Sequence, residues 1–177
     1  LKLMGPLNRQ IERATREVDK IAQRDPTIRR LCTAPGVGSI TAASFAAVID
    51  RPERFKGAHQ VEAYLGLVPR ELSSGEKQRK GRITKTGDRR TRSLLVEAAW
   101  ALLRTRRPAV APLRAWTERL AARRGRRVAV VALARWPIGF PYVWSTMSIQ
   151  RTGARWTYET TRRRGPRTPT ATTRLVV

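Results

Sequence analysis

Apolar residues recur along this chain at the helical period, in short runs cut by proline and glycine, and that pattern leaves room for little besides packed helices. Leu7, Ile11, Ala14, Val18 and Ile21 follow a 4,3,4,3 spacing that places them on one stripe of a helix. Residues 1–25 therefore read as a coiled-coil-like heptad arm, whose stripe either docks on the rest of the domain or joins two copies in a homo-oligomer. Asp25 followed by Pro26 ends the arm and restarts a helix, since Asp suits the cap and Pro the first helical position. A short helix to Leu31 follows, then a tight turn at Ala34-Pro35-Gly36-Val37-Gly38. Ser39 is expected to cap the next helix, which runs through Ala42, Ala43, Phe45 and Ala46 toward Ile49.

Arg51 and Pro52 break the chain, and a further helix spans about Ala58 to Leu65 with Gly66 as its C-cap. Leu67 to Gly87 has no helical apolar period and reads as an irregular basic loop or a weak hairpin. Asp88 then caps a helix with Leu94, Leu95, Ala98, Ala99, Leu102 and Leu103 on its inner face. Another carries Leu113, Trp116 and Leu120, with Trp100 and Trp116 expected in the core or half-buried, and the last covers about Arg127 to Arg135. The fold class is all-α: a helix-hairpin-helix-containing domain over 26–135, behind the arm. From Trp136 proline and glycine interrupt the pattern, and Arg151 to Val177 holds seven Arg against one acidic residue, so 136–177 is expected to be a largely disordered basic tail.

Charge decides the partner. Lys and Arg number 37 against 13 Asp and Glu, a formal +24, which calls for a polyanion. A membrane span is excluded on length, since the longest apolar run, Val128 to Ala134, falls far short of the roughly 18 residues required. One cysteine, Cys32, and no signal pattern fit the cytoplasm, and the lack of an initiating Met fits a fragment of a longer protein, processing or an alternative start codon equally well.

Two segments can hold nucleic acid. Gly36 and Gly38 let the backbone turn sharply and approach a ligand closely, with the amides of the following helix free to take one phosphate. The same spacing also suits a purely structural αα-turn. The second segment, Arg70 to Arg92, sets nine basic residues against three acidic ones; Arg70, Lys77, Arg79, Lys80, Arg82, Lys85, Arg89 and Arg92 are the candidate phosphate contacts. No Walker string is present, so nucleotide hydrolysis is not suggested. Ser74, before Gly75, is a hydroxyl among cations that could attack a phosphodiester, although a Ser-Ser-Gly triplet by itself reads as a turn. The lone His59 falls in a helix and suits a surface role, Cys32 suits a small buried residue, and Asp19, Asp25, Asp50 and Asp88 stand apart at apparent helix boundaries, so no metal site is proposed.

Taken in order, Ala34-Pro35-Gly36-Val37-Gly38, Thr41-Ala42, Arg54-Phe55, Ala63 to Arg70, Ser73-Ser74-Gly75, Ile83 to Asp88 and Arg92-Ser93-Leu94-Leu95 resemble the transposase IS116/IS110/IS902 family, from about Leu31 to Leu103. The resemblance implies a DNA recombinase that mobilises an insertion sequence, with Ser74 as nucleophile and Ser73 as the less favoured neighbour. It also implies a guide RNA and a separate N-terminal RuvC-like domain whose acidic residues bind divalent metal (Mg); no such acidic cluster is found in this sequence, and no cofactor is assigned to it. After Ala134 the chain departs from the family pattern, as a frameshifted or decaying element would. The competing classes are a non-catalytic helix-hairpin-helix binding protein, an inactive transposase remnant and a general RNA-binding basic protein.

Overall fold

A computed structural model describes residues 4–74 and 77–139. Eight α-helices and one β-hairpin follow in the order α1 (Met4–Arg24), α2 (Pro26–Leu31), α3 (Ser39–Ile49), α4 (Ala58–Tyr64), β1 (Pro69–Ser74), β2 (Lys77–Ile83), α5 (Arg89–Arg104), α6 (Ala111–Arg124), α7 (Arg126–Ala134) and α8 (Trp136–Gly139), with 3-10 turns at Pro52–Arg54 and Pro108–Val110. The helical character read from the apolar period is borne out. Asp25 caps α2 by accepting from the amides of Thr27 and Ile28 at 2.7 and 3.0 Å, and Asp88 caps α5 through the Thr91 amide.

Helix α5 is the spine of the body. Its inner face, Leu95, Ala98, Ala99 and Leu102, is buried, and it packs on α3 on one side and α7 on the other. Ile49, Leu65, Leu67, Leu133 and Ile138 complete the core, each at most 1% exposed. Polar links are few and specific. The Ser44 and Thr91 hydroxyls, 2.7 Å apart, join α3 to α5. Glu62 on α4 accepts from Nε of Arg135 at 2.8 Å and from its Nη2, tying α4 to the end of α7. Glu62 is buried, so removing either partner would leave an uncompensated charge in the core.

One open sequence expectation is decided and two change. The Leu67–Gly87 stretch, left open between loop and weak hairpin, forms a regular antiparallel pair in register from Pro69↔Ile83 to Ser74↔Lys77, with an irregularity between Pro69 and Glu71. The domain does not stop at Arg135, because α8 packs on α4 and buries Ile138; the rest of the expected basic tail, from residue 140, lies outside the described residues. Trp116 is 41% exposed, neither core nor half-buried, since Leu113 and Leu120 form the covered face of α6 without it. Of the α1 stripe only Val18 is half-buried, while Leu7, Ile11 and Ile21 are about 55% exposed; the buried residue of α1 is Ala22, which flanks the stripe where the helix packs on α2 and α3.

Candidate nucleic-acid interface

The β-hairpin is fixed to the helical body by a close crossing of two backbone segments. Gly66, at φ 69°, and Gly87, at φ 77°, sit where the turn after α4 meets the loop before α5. A Cβ on Gly66 would run into the Thr86 carbonyl, and one on Gly87 into the Tyr64 carbonyl, so neither position admits a side chain. The Lys85 amide donates to Gly66 O at 3.1 Å and the Thr84 amide to Val68 O at 2.9 Å, which continues the strand pairing down to the crossing. Arg92, in the first turns of α5, closes it: its Nη1 donates to Leu65 O and to Thr86 O, both at 3.0 Å.

Above this base the hairpin gathers most of the sequence-selected residues. Ser74 ends β1, opposite Lys77 in register, and Lys77, Arg79, Lys80 and Arg82 all belong to β2. Arg70 lies at the stem of β1, with Nη2 3.4 Å from Thr84 O. Lys85 occupies the loop below β2, and Arg89 is exposed at the start of α5. Arg92 differs from the others, since its guanidinium is half-buried and engaged with backbone carbonyls. Gly36 and Gly38 are not part of this group. Gly36 abuts the Ala98 carbonyl and Leu102, about ten residues and roughly 15 Å along α5 from Asp88.

The comparison with known proteins falls on this same region. Residues 28–113 match the family described as Transposase IS116/IS110/IS902, a stretch that takes in the glycine turn, the crossing and the whole β-hairpin. These residues belong to the IS116/IS110/IS902 transposase family. Among its relatives, a "Probable family 20 transposase" of Pseudomonas aeruginosa is 37% identical over 72% of this chain and 38% of its own length. The "Transposase for insertion sequence element IS1111A" of Coxiella burnetii is 35% identical over 77% of this chain and 37% of its length. The "Transposase for insertion sequence element IS1328" of Yersinia enterocolitica is 39% identical over 54% of this chain and 28% of its length. The chain thus spans under two-fifths of the length of these relatives.

In this transposase-family domain the glycine turn has a structural reason of its own: at φ 83° Gly36 lets the turn seat against α5 with no space for a Cβ. Gly38 faces open space and is the N-cap of α3, where Ser39 was expected. Ser39 instead donates its hydroxyl to Asp19 of α1, so a carboxylate already stands at the first turn of α3. Asp19 is therefore not a boundary cap. His59 is exposed, as its helical position suggested, and Cys32 is half-buried, with burial pushing its thiol up from the ordinary value. Sequence reasoning passed over Arg54, which lies 4.7 Å from both the Phe55 and Tyr64 rings, and Arg127, which joins Arg82 and Lys85 at the foot of the hairpin. No local period marks either one.

The Asp88 cap gives the family domain a pH signature. The Thr91 amide, then the Thr91 hydroxyl and nearby Arg92 and Arg90, hold its carboxyl below the ordinary value of 3.8. A lowered folded value means that the stabilisation is complete above the unfolded value and is lost as pH falls through the folded one. Thermal melting of the wild type and Asp88→Asn as a function of pH checks this. The wild type is expected to melt higher by a constant margin above about pH 5, and the margin should shrink to nothing in stronger acid.

Proposed function

We propose that this chain is the serine-bearing, nucleic-acid-handling module of a DNA transposase, acting in the cytoplasm on the ends of an insertion sequence. The observation that carries the reading is the β-hairpin within the family-matched region, where Ser74 and the cationic residues of β2 share one small element. In the proposed step the Ser74 oxygen attacks a DNA phosphorus, a serine phosphodiester forms, and the bond to one deoxyribose oxygen breaks. The serine proton ends on the departing oxygen, so one phosphodiester replaces another and no external energy source is needed. Lys77, Arg79, Lys80, Arg82 and Lys85 would neutralise the phosphate and the charge that builds on it in the transition state. Arg70 and Arg89 would extend the phosphate track, and Arg92 would position the hairpin.

Gly38 and the free amides of α3 are the proposed second phosphate contact, about 15 Å along the spine from the first. Asp19 opposes an anion there. Divalent metal chemistry is proposed for the wider transposase, and no step here is routed through a metal. A guide RNA is the second proposed polyanion. A second copy of the chain is proposed to cover the α1 stripe, whose flanking positions Asn8, Gln10, Thr15, Glu17 and Ala22 carry no Lys or Arg in a chain with 37 of them.

Replacing Ser74 by Ala in the full-length transposase should lower strand exchange by at least about a thousandfold and leave DNA affinity within about twofold. Retained exchange would remove Ser74 from the chemistry and favour a binding-only protein. For the glycine turn, Asp19→Asn removes the competing charge and should raise DNA affinity about two- to fivefold at low salt, measured by fluorescence anisotropy. An unchanged affinity would take the α3 terminus off the DNA path.

A further inference from the structure

The foot of the β-hairpin and the outer face of α7 enclose a cleft of about 460 Å³ whose aliphatic floor the proposed serine chemistry does not use. Its floor is aliphatic, formed by Leu67, Pro69, Ile83, Val128 and Val131, and its rim carries Arg82, Lys85 and Arg127. Val128 is 54% exposed, so its side chain is accessible from the cleft. Arg135 also lines the cleft, but its guanidinium is engaged by Glu62. Among the described residues, Arg82, Lys85 and Arg127 make no ion pair.

We propose that this cleft receives one unpaired nucleotide of a nucleic-acid strand, its base lying on the aliphatic floor and its flanking phosphates on Arg82, Lys85 and Arg127. The inference rests on the reading of the chain as a nucleic-acid-handling module and adds to it a preference for single-stranded or unpaired segments. Size agrees, since pockets for small organic groups run from about 300 to 1,000 Å³. Chemistry agrees as well: an aliphatic surface takes the face of any base, while a cationic rim takes the phosphates that every nucleotide carries. A floor without hydrogen-bonding side chains does not read base edges, so the site is indifferent to sequence. A base held in a duplex has both faces stacked and must leave the stack to enter.

Lys85 supplies an independent sign. It sits at φ 59°, a left-handed conformation that glycine or asparagine adopts at less cost. A lysine kept there places a cation at the mouth of the cleft. The chain's own C-terminal stretch is a poor occupant on charge grounds, because Arg151 to Val177 carries seven Arg and only Glu159 to oppose them.

The test uses the full chain, a short thymidine oligonucleotide, the same strand with one abasic position, and a duplex of equal length. Val128→Gln removes aliphatic floor at an exposed helical position and should weaken binding to the intact strand by about fivefold, with the abasic strand and the duplex changed by less than about twofold. Lys85→Gly relieves the left-handed strain, so the melting temperature should hold or rise while affinity for the strand falls about threefold or more. Equal losses on all three probes for Val128→Gln would overturn the inference and leave the general nucleic-acid reading standing. No binding of any probe by the wild type would overturn both. A photocrosslinker at position 128 should attach to the thymidine strand; attachment to residues beyond 139 of the same chain would show that the tail fills the cleft and would overturn the proposal.

Discussion

Two glycines that cannot be anything else set where the rest of the molecule lies. At Gly66 and Gly87 the chain passes itself at backbone contact distance, each glycine facing a carbonyl of the opposing segment. Arg92 then bonds to a carbonyl on either side of the crossing, so the helix that forms the spine also holds the hairpin's base. A two-stranded hairpin is marginal by itself in water. Here it is continued by backbone hydrogen bonds into a junction whose Leu65–Leu67 side is buried in the body. The path of the two strands away from the body starts at that junction.

The few acidic residues explain why so much positive charge is left to a partner. Asp25 and Asp88 cap helices, Asp19 accepts from Ser39, and Glu62 is bound by Arg135 inside the body. Glu12 and Glu17 pair with Arg16 and Lys20 along α1, exposed pairs that contribute little to stability. These six carboxylates are thus occupied in structure, while Arg82, Lys85 and Arg127 gather at the foot of the hairpin. A nucleic-acid backbone is the partner proposed for that charge, and the family match over residues 28–113 takes in the hairpin.

Much of the helical architecture was legible in the apolar period and its punctuation, with Asp25 and Asp88 serving as the caps that their positions suggested. The hairpin was legible only as one of two alternatives, because β1 and β2 hold only Leu72 and Ile83 as large apolar side chains and show no alternation to decide for a strand. Trp116 was misplaced because helical spacing does not say which face is covered, and α8 was missed because Pro137 and Gly139 resemble a terminus. Gly66 was legible as a helix end and Gly87 only as part of a loop. Their contact joins positions twenty-one apart, and no local pattern encodes it. Ser74 as a candidate came from the family resemblance, since the triplet around it would otherwise be a turn. The cleft has no signature at all, being assembled from α7 and the hairpin's foot.

Amide hydrogen exchange on Gly87→Ala tests the crossing most directly. The added methyl would meet the Tyr64 carbonyl, so the account predicts that amides of 69–74 and 77–83 lose protection while those of α5 keep it, with a parallel fall in affinity for DNA. A hairpin as protected in the Ala variant as in the wild type would contradict the claim that this junction holds it in place.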